Sequence, residues 1–271
     1  MARVLVTGSA DGLGRLSAEL LVRWGHEVFL HARNRARARD AEAAVPGARG
    51  ALVGDLSSLA EVRGIAEQAA AAGPFDAVIH NAGVGYQEPR RDTADGIEHV
   101  FAVNVLAPYV LTALIRGPGR LVYLGSGMHR GAQPELDDVL WRRRRWSGSQ
   151  AYAESKLHDV TLAFAVARLR PGVLSNAVDP GWVPTRMGGH GAPDDLSLGA
   201  DTQAWLAVDG DPRAAVTGRY LFHRMQRSAN PAASERGAQD GLLRVCGELS
   251  GVALEPAGAP PRAGGANPPS R

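Results

Sequence analysis

Short apolar runs alternate with longer stretches rich in alanine, leucine and arginine along most of the chain. The first four runs are RVLVTG, EVFLHA, GALVGD and FDAVIHNAG. The pattern continues with a long helical stretch at IEHVFAVNVLAPYVLTAL, the run GRLVYLGSG, a further helix and the run GVLSNAVDPG. Because this alternation is typical of βαβ units, it predicts an α/β fold with one doubly wound parallel sheet and helices on both of its faces.

Two segments interrupt the alternation. Residues 127–149, which contain WRRRRW, and residues 182–200, which are rich in Gly, Pro and Asp, are predicted to be loops with partial helix. The last segment, EPAGAPPRAGGANPPSR, has little apolar surface to bury. The sequence therefore predicts one domain over residues 1–254 and a disordered tail over residues 255–271.

The composition is that of an ordinary globular protein, with 45% hydrophobic and 21% charged residues. A formal net charge of +2 is too small to indicate a nucleic-acid partner. The single cysteine, Cys246, excludes an internal disulfide and offers no metal cluster, so no metal is expected, and it is predicted to be an apolar residue in a C-terminal helix. No run approaches the ~20 apolar residues of a membrane span. We therefore expect a cytoplasmic protein without membrane contact.

A glycine-rich segment, TGSADGLGR, follows the first predicted strand and opens a helix. Its glycines are Gly8, Gly12 and Gly14. Glycine allows a tight turn and lets backbone N–H groups approach a pyrophosphate at the N-terminus of a helix. The strand before and the helix after favour a nucleotide-binding turn over the alternative of a plain loop.

The segment AYAESKL contains the only lysine of the chain, Lys156, four residues after Tyr152. All the other basic residues are arginine, so a position that needed only positive charge would be expected to carry arginine. In a helix, residues i and i+4 lie on one face and reach the same pocket. The pair therefore indicates a site that requires an amine beside a phenol.

Six motifs occur in one order along residues 2–250: TGSADGLG, HNAG, VNV, YLGSG, YAESK and DPGWVPT. Together they resemble the short-chain dehydrogenase/reductase family. The wide separation of Ser126 from Tyr152, with SGMHRG and LDD, resembles the branch of retinol dehydrogenases, protochlorophyllide reductases and antibiotic-pathway ketoreductases. Two positions depart from the family pattern, His80 where asparagine is more usual and Ala107 where glycine is frequent.

The resemblance implies a Rossmann-type fold and hydride transfer between a nicotinamide and a carbonyl or alcohol, with a bulky apolar or polyketide-like ketone as the expected substrate. A free phenol has a pKa of ~10, so Tyr152 needs a cation such as Lys156 to act as a base near neutral pH. Ser126 would hydrogen-bond the substrate oxygen and Asn104 would hold a water next to Lys156. The implied catalytic residues are Asn104, Ser126, Tyr152 and Lys156.

The resemblance also implies a set of residues around the cofactor. Asp55 would contact adenine, although it could instead cap the next helix, and Thr185 would contact the carboxamide or the pyrophosphate. The family further suggests a homodimer or homotetramer, although part of the branch is monomeric. The implied cofactor-binding residues are Gly8, Ala10, Asp11, Gly12, Leu13, Gly14, Arg33, Asn34, Asp55, Leu56, Asn81, Ala82, Gly83, Tyr152, Lys156, Pro180, Gly181, Val183 and Thr185.

The segment after the second predicted strand, HARNRARAR, bears on the choice of cofactor. An NAD site needs an acid here for the ribose hydroxyls, yet no acid precedes Asp40. Arg33, with Arg15 or Asn34, could instead meet a 2′-phosphate, which favours NADP(H) over NAD(H). The other arginines of the segment have the alternative role of a solvated helix face.

Three further alternatives stay open. The WRRRRW run could bind nucleic acid, but a solvated loop near the mouth of the active site, with Trp141 and Trp146 packed inward, is favoured. His129, three residues after Ser126, could touch the substrate. A nonenzymatic NADP-binding sensor could use the same fold, although the intact Ser126, Tyr152 and Lys156 favour an enzyme.

Overall fold

The computed structural model describes residues 1–208 and 210–256. The strands are β1 (Arg3–Val6), β2 (Glu27–Ala32), β3 (Gly50–Val53), β4 (Ala77–His80), β5 (Arg120–Leu124), β6 (Leu174–Asp179), β7 (Tyr220–Phe222) and β8 (Met225–Arg227). The helices are α1 (Gly12–Arg23), α2 (Arg35–Ala44), α3 (Leu59–Ala72), α4 (His99–Phe101), α5 (Ala107–Leu114), α6 (Gly148–Leu169), α7 (Leu196–Ala207) and α8 (Arg236–Ser250). Most of the predicted tail, from residue 257 onward, lies outside the described residues.

The strands form one sheet in the order β3-β2-β1-β4-β5-β6-β7-β8. All neighbouring strands are parallel except β7 and β8, which are antiparallel. This confirms the predicted doubly wound sheet. The strand order reverses between β1 and β4, so the loops after these strands diverge and leave a crevice at the carboxyl edge of the sheet. Ligands of such sheets bind in a crevice of this kind.

Two apolar cores flank the sheet. On one face α1 and α7 pack around Leu21 and Trp205, and on the other face α3, α5, α6 and α8 pack around Tyr109 and Leu162. Cys246 is fully buried in α8, as predicted for an apolar position. Among the helices in the described part of the chain, none is long and apolar enough to cross a membrane.

His80, at the end of β4, is buried in the interior. Its Nε2 lies 3.1 Å from the hydroxyl of Thr112, and its ring stacks on Tyr123 with centroids 4.7 Å apart. Burial lowers the pKa of His80 to about 3, because the charged ring would lose its hydration. The imidazole is therefore neutral in the folded protein throughout the physiological range.

The neutral His80 predicts a loss of stability in acid. Below the ordinary histidine pKa of 6.5, the unfolded chain takes up a proton that the folded protein accepts only near pH 3. Each pH unit within this window should lower the free energy of unfolding by about 1.4 kcal/mol through this residue. His80→Asn should reduce the slope of unfolding free energy against pH by up to about 1.4 kcal/mol per pH unit. Urea titrations between pH 7 and pH 5 measure this slope.

Thr112→Val provides the control for this prediction, because it removes the hydrogen-bond partner of His80 without removing a titrating group. Its stability curve should be displaced from that of the wild type but stay parallel to it. A curve for His80→Asn that is also parallel to the wild type would contradict a neutral His80.

Candidate active site

The glycine turn after β1 packs against the segment after β4. Gly8 has φ of +62°, and a Cβ at this residue would lie 2.8 Å from the Cα of Ala82. A Cβ on Gly14 would lie 2.4 Å from the Nδ2 of Asn81. Both distances are too short for a real side chain, so glycine is required at these positions for the two segments to meet. The predicted nucleotide turn and the HNAG motif therefore form one continuous surface.

Hydrogen bonds hold this surface rigid. The Nδ2 of Asn81 donates to the carbonyls of Thr7 and Gly8, at 2.9 and 3.2 Å. The N–H of Gly8 donates to the Nδ1 of His31, whose Nε2 lies 2.9 Å from the carbonyl of Gly54. His31 thus connects the ends of β1, β2 and β3. This role was not predicted, because one histidine near the end of an apolar strand gives no signal of it.

Arg33 and Asp55 follow β2 and β3 at the carboxyl edge of the sheet. Arg33 is exposed, whereas the Asn34 side chain accepts from the N–H of Arg37 and caps α2. Burial acts to raise the pKa of Asp55, but hydrogen bonds from Ser57 outweigh it and the pKa lies below its usual value. Asp55 therefore carries a negative charge at the carboxyl end of β3.

An ion pair at the same edge was not predicted. Arg37 joins Asp11, the N-cap residue of α1, at 2.8 Å, and it also contacts Asp40. Arg15 pairs with Glu19 on its own helix at 3.3 Å. Of the side chains considered for a 2′-phosphate, Arg15 and Asn34 are therefore engaged within their own helices. Arg33 is exposed at the end of β2.

The loop after β6 approaches the glycine turn from the other side. A Cβ on Gly12 would lie 3.9 Å from the Cγ2 of Thr185, and a Cβ on Gly199 would lie 3.0 Å from Val183 and 3.1 Å from Leu13. Gly181 has φ of +84°, which allows the chain to turn after Pro180. Ala10 is half-buried in the turn and Leu56 is buried in the core. Most of the predicted cofactor residues thus border one crevice.

Asn104 lies in a π-helical turn, Ala102–Leu106, between α4 and α5. Its Nδ2 donates to the carbonyl of Val84 at 3.1 Å and to the hydroxyl of Ser155 at 3.0 Å, and its Oδ1 accepts from the N–H of Val84 at 2.8 Å. Single π-turns inside helices are frequent at functional sites. The turn fixes the Asn104 side chain between α6 and the loop after β4.

Lys156 lies on α6, one turn after Tyr152, and is buried. Its Nζ donates to the carbonyl of Leu124 and to a carboxylate oxygen of Asp159, both at 2.8 Å. The Nζ lies 5.7 Å from the centroid of the Tyr152 ring. Burial acts to lower the pKa of Lys156, but attraction to Asp159 and Tyr152 outweighs it, so the pKa lies above its usual value. The amine is therefore a charged group inside the protein.

Tyr152 is also buried, and Tyr86 packs against its ring with centroids 6.1 Å apart. Burial raises the pKa of Tyr152, while Lys156 and a hydrogen bond with Ser126 act in the opposite direction. The phenol consequently carries its proton at neutral pH and has a cation and a hydroxyl as neighbours. These are the features of an acid that can protonate an oxygen and whose phenolate is then stabilised by the neighbouring cation and hydroxyl.

The residues predicted to bind the cofactor and those predicted to be catalytic meet at Gly83. A Cβ at this position would lie 3.3 Å from the Oδ1 of Asn104 and 3.6 Å from the Nζ of Lys156. The predicted cofactor and catalytic residues thus follow the carboxyl edge of the sheet from Arg33 past the glycine turn to Lys156. Doubly wound sheets bind their ligands at this edge.

Comparison with known proteins agrees with this geometry. The family model for short chain dehydrogenases matches residues 2–129. An uncharacterized oxidoreductase, AN7799 of Emericella nidulans, is 44% identical over 94% of this chain and 99% of its own. The chain belongs to the short-chain dehydrogenase/reductase family. This confirms the resemblance drawn from the six motifs.

Other relatives fall within the branch suggested by the motifs. A protein of Streptomyces sp. (strain C5) that is named for a daunorubicin C-13 ketoreductase activity, DnrU, is 32% identical over 93% of this chain and 92% of its own. Mouse retinol dehydrogenase 14 is 30% identical over 92% and 86% of the two chains. A blue fluorescent protein from a metagenomic library, solved with NADPH, has a TM-score of 0.65 and 24% identity, over 82% of this chain and 95% of its own, and supports the fold.

In this short-chain dehydrogenase, His129 lies in the protein interior next to Ser126. It is fully buried. Its Nδ1 lies 2.7 Å from the carbonyl of Ser126, and its Nε2 accepts from the N–H of Asn230 at 3.1 Å. Both ring nitrogens are therefore engaged within the protein. A contact between His129 and the substrate, which the sequence left open, does not fit this position.

The WRRRRW loop of this dehydrogenase is attached to the catalytic helix. Trp141 is buried against Trp146, as predicted. Arg144 lies 4.0 Å from the Trp141 ring centroid and donates through two nitrogens to the carboxylate of Glu154 on α6, at 2.7 and 3.0 Å. It also contacts Asp138, which accepts backbone N–H groups of the arginine run. The prediction of a solvated run is wrong for Arg144, because two buried carboxylates require a cation.

Proposed function

We propose that this short-chain dehydrogenase is an NADP(H)-dependent reductase of bulky apolar or polyketide-like ketones, which can also act in reverse as an alcohol dehydrogenase. The observation that carries the proposal is the meeting of Ser126, Tyr152 and Lys156 beside Gly83, at the carboxyl edge of the sheet where doubly wound folds bind their ligands. A nonenzymatic cofactor sensor would have no need for a buried phenol, amine and hydroxyl in this arrangement.

The preference for NADP(H) rests on Arg33. It follows β2 at the position where an NAD-binding fold needs an acid, and the next acid along the chain is Asp40 on α2. A guanidinium forms strong paired hydrogen bonds with a phosphate. The nearby carboxylate of Asp11 is neutralised by Arg37, which removes one source of repulsion for a 2′-phosphate.

The chemistry of the protein residues follows from their environment. Ser126 offers a hydroxyl to the substrate oxygen on which negative charge develops. Tyr152, which is protonated at neutral pH, donates its proton to that oxygen, and Lys156 stabilises the phenolate that remains. Asn104 fixes the loop that carries Val84 next to these groups. When bound, the nicotinamide supplies the hydride.

The expected substrate class rests on exposed apolar side chains around these groups. Met128 is two residues from Ser126 and is 41% exposed, and Trp182 is 56% exposed. Met187 packs on Gly85, where a Cβ would lie 2.8 Å from its Cγ, and the Tyr86 ring borders Tyr152. Large apolar groups that stay exposed at the rim of a crevice are typical of a ligand site. The ketoreductase name of the Streptomyces relative points to the same chemistry.

The test is a screen of carbonyl compounds for NADPH oxidation, in which small aliphatic ketones are compared with polycyclic aromatic ketones. We expect the larger ketones to be reduced with the higher kcat/KM. NADPH binding without turnover of any carbonyl would instead favour the cofactor sensor. Preferred turnover of small aliphatic ketones would contradict the substrate class.

Arg33→Asp should erase the cofactor preference. NADPH should bind the wild type at least about tenfold more tightly than NADH, which corresponds to about 1.4 kcal/mol. The variant should lose this difference, because the carboxylate repels the phosphate and accepts from the ribose hydroxyls. Isothermal titration with both cofactors measures it. Arg39→Asp, at an exposed position of α2, is the matched control and should keep the wild-type ratio. Equal affinities in the wild type would contradict the role of Arg33.

A further inference from the structure

A buried ion pair on α6 involves a residue to which the mechanism above assigns no role. Lys156 and Asp159 are three residues apart and therefore lie on one face of the helix. Their side chains are only 5% and 4% exposed, and Nζ and Oδ2 are 2.8 Å apart. Asp159 is as deeply buried as the lysine that it contacts.

The titratable groups that face Asp159 come from three elements. They are Lys156 and Tyr152 on α6, Tyr123 on β5 and Cys246 on α8. Burial raises the pKa of both Tyr123 and Cys246, so these two side chains are neutral near pH 7. Lys156 itself faces Tyr152, Asp159 and the carbonyl of Leu124. The charge balance around the amine therefore depends on Asp159.

Burial without a counter-ion lowers the pKa of an ammonium group, because the protein interior replaces its hydration poorly. Burial raises the pKa of Asp159 to about 6 even with Lys156 beside it, so the carboxylate is ionised at neutral pH. It can therefore offset the cost of burying the Lys156 charge. One carbonyl, that of Leu124, would not replace this charge.

We propose that Asp159 is a positioning residue that keeps Lys156 protonated and holds its ammonium group between the Leu124 carbonyl and the Tyr152 ring. The inference rests on the proposed function, in which a positive charge beside Tyr152 is needed for turnover. It explains why the chain carries a carboxylate in its interior at this point of α6.

The single lysine of the chain makes a direct test possible. Labelling with lysine that carries ¹⁵N at its side-chain nitrogen gives one signal, and its titration in the cofactor-free protein reports Lys156 alone. The wild-type amine should stay charged to at least about pH 9, and Asp159→Asn should lower the midpoint by at least about one pH unit. Asparagine keeps the size and one oxygen acceptor, so the change isolates the charge.

Activity provides a second readout. The kcat/KM of Asp159→Asn should fall as the pH rises above the lowered midpoint, while the wild type keeps its activity over the same range. Asp240→Asn is the control, because it removes a carboxylate from a surface ion pair with Arg168 and should leave the lysine signal unchanged. An unchanged midpoint in Asp159→Asn would overturn the inference.

The two proposals fail in different ways. If Asp159→Asn does not fold, the titration of Lys156 in the wild type still tests the inference. An amine that titrates below about pH 8 despite the intact ion pair would overturn the role of Asp159. A lowered midpoint in Asp159→Asn, combined with a wild type that reduces no carbonyl, would support the effect of Asp159 on Lys156 and contradict the proposed reductase.

Discussion

Tyr152→Phe should abolish turnover while the cofactor still binds. The substitution removes one hydroxyl from a ring that is buried against Tyr86, so the packing of the ring remains. It also removes the proton donor that lies beside Lys156 and Ser126. General acid catalysis contributes about 10²- to 10⁴-fold to a rate. We therefore expect kcat/KM to fall by at least about a thousandfold, with NADPH affinity within about threefold of the wild type.

The measurement is kcat/KM for a reducible ketone, beside the dissociation constant of NADPH. Tyr86→Phe is the matched control, because it removes a hydroxyl from the neighbouring ring and keeps the contact between the two rings. This control should keep most of the activity. Turnover close to the wild type in Tyr152→Phe would refute the proposed proton donor.

Lys156→Arg should cost at least about a hundredfold in kcat/KM, which corresponds to about 2.7 kcal/mol of barrier. The positive charge is conserved, but the shape of the group is not. The amine fits between the Leu124 carbonyl and Asp159, with contacts of 2.8 Å to each. A planar guanidinium is bulkier and forms fork-like contacts, so it cannot occupy this place without moving away from Tyr152.

This prediction is checked by comparing kcat/KM across pH for the wild type and the variant, with circular dichroism to verify that the variant is folded. Arg144→Lys is an informative comparison, since it makes the opposite exchange at a partly buried cation that contacts Glu154. It should affect stability more than the chemical step. Wild-type turnover in Lys156→Arg would show that any cation serves at this position.

Much of the fold could be predicted because the signals are local. Each parallel strand in the first half is an apolar run followed by a helical stretch, and the structure places β1 to β6 at these runs. The strands β7 and β8 were not predicted. They are only three residues long, and YLF and MQR form strands through pairing with β6 and with each other rather than through a pattern of their own.

The register of hydrogen bonds within a helix was also beyond the sequence. The stretch IEHVFAVNVLAPYVLTAL predicts one continuous helix, whereas the structure has α4, a π-turn at Asn104 and α5. The composition of the stretch is equally compatible with both. The π-turn is held by bonds from Asn104 to Val84 and Ser155, which are distant in sequence. Such partners become visible only when the chain is folded.

The spacing of Lys156 and Asp159 gives the opposite lesson. Opposite charges three residues apart on a predicted helix indicate an ion pair from sequence alone. The sequence did not show that the pair is buried, and burial changes how strongly the two charges depend on each other. An exposed pair is worth little, while a buried one constrains both partners. His31 is similar, since its bonds to Gly8 and Gly54 depend on three strand ends meeting.

The attachment of the WRRRRW loop to α6 limits how this enzyme could be re-engineered. Arg144 forms an ion pair with Glu154, which lies midway between Tyr152 and Lys156 in the sequence of α6. Random substitution in the loop would therefore disturb reactivity together with selectivity, and many library members would be lost for reasons unrelated to the substrate. Met128, Trp182 and Met187 are exposed and take no part in this ion pair. Directed evolution at these three positions could therefore vary selectivity separately from reactivity.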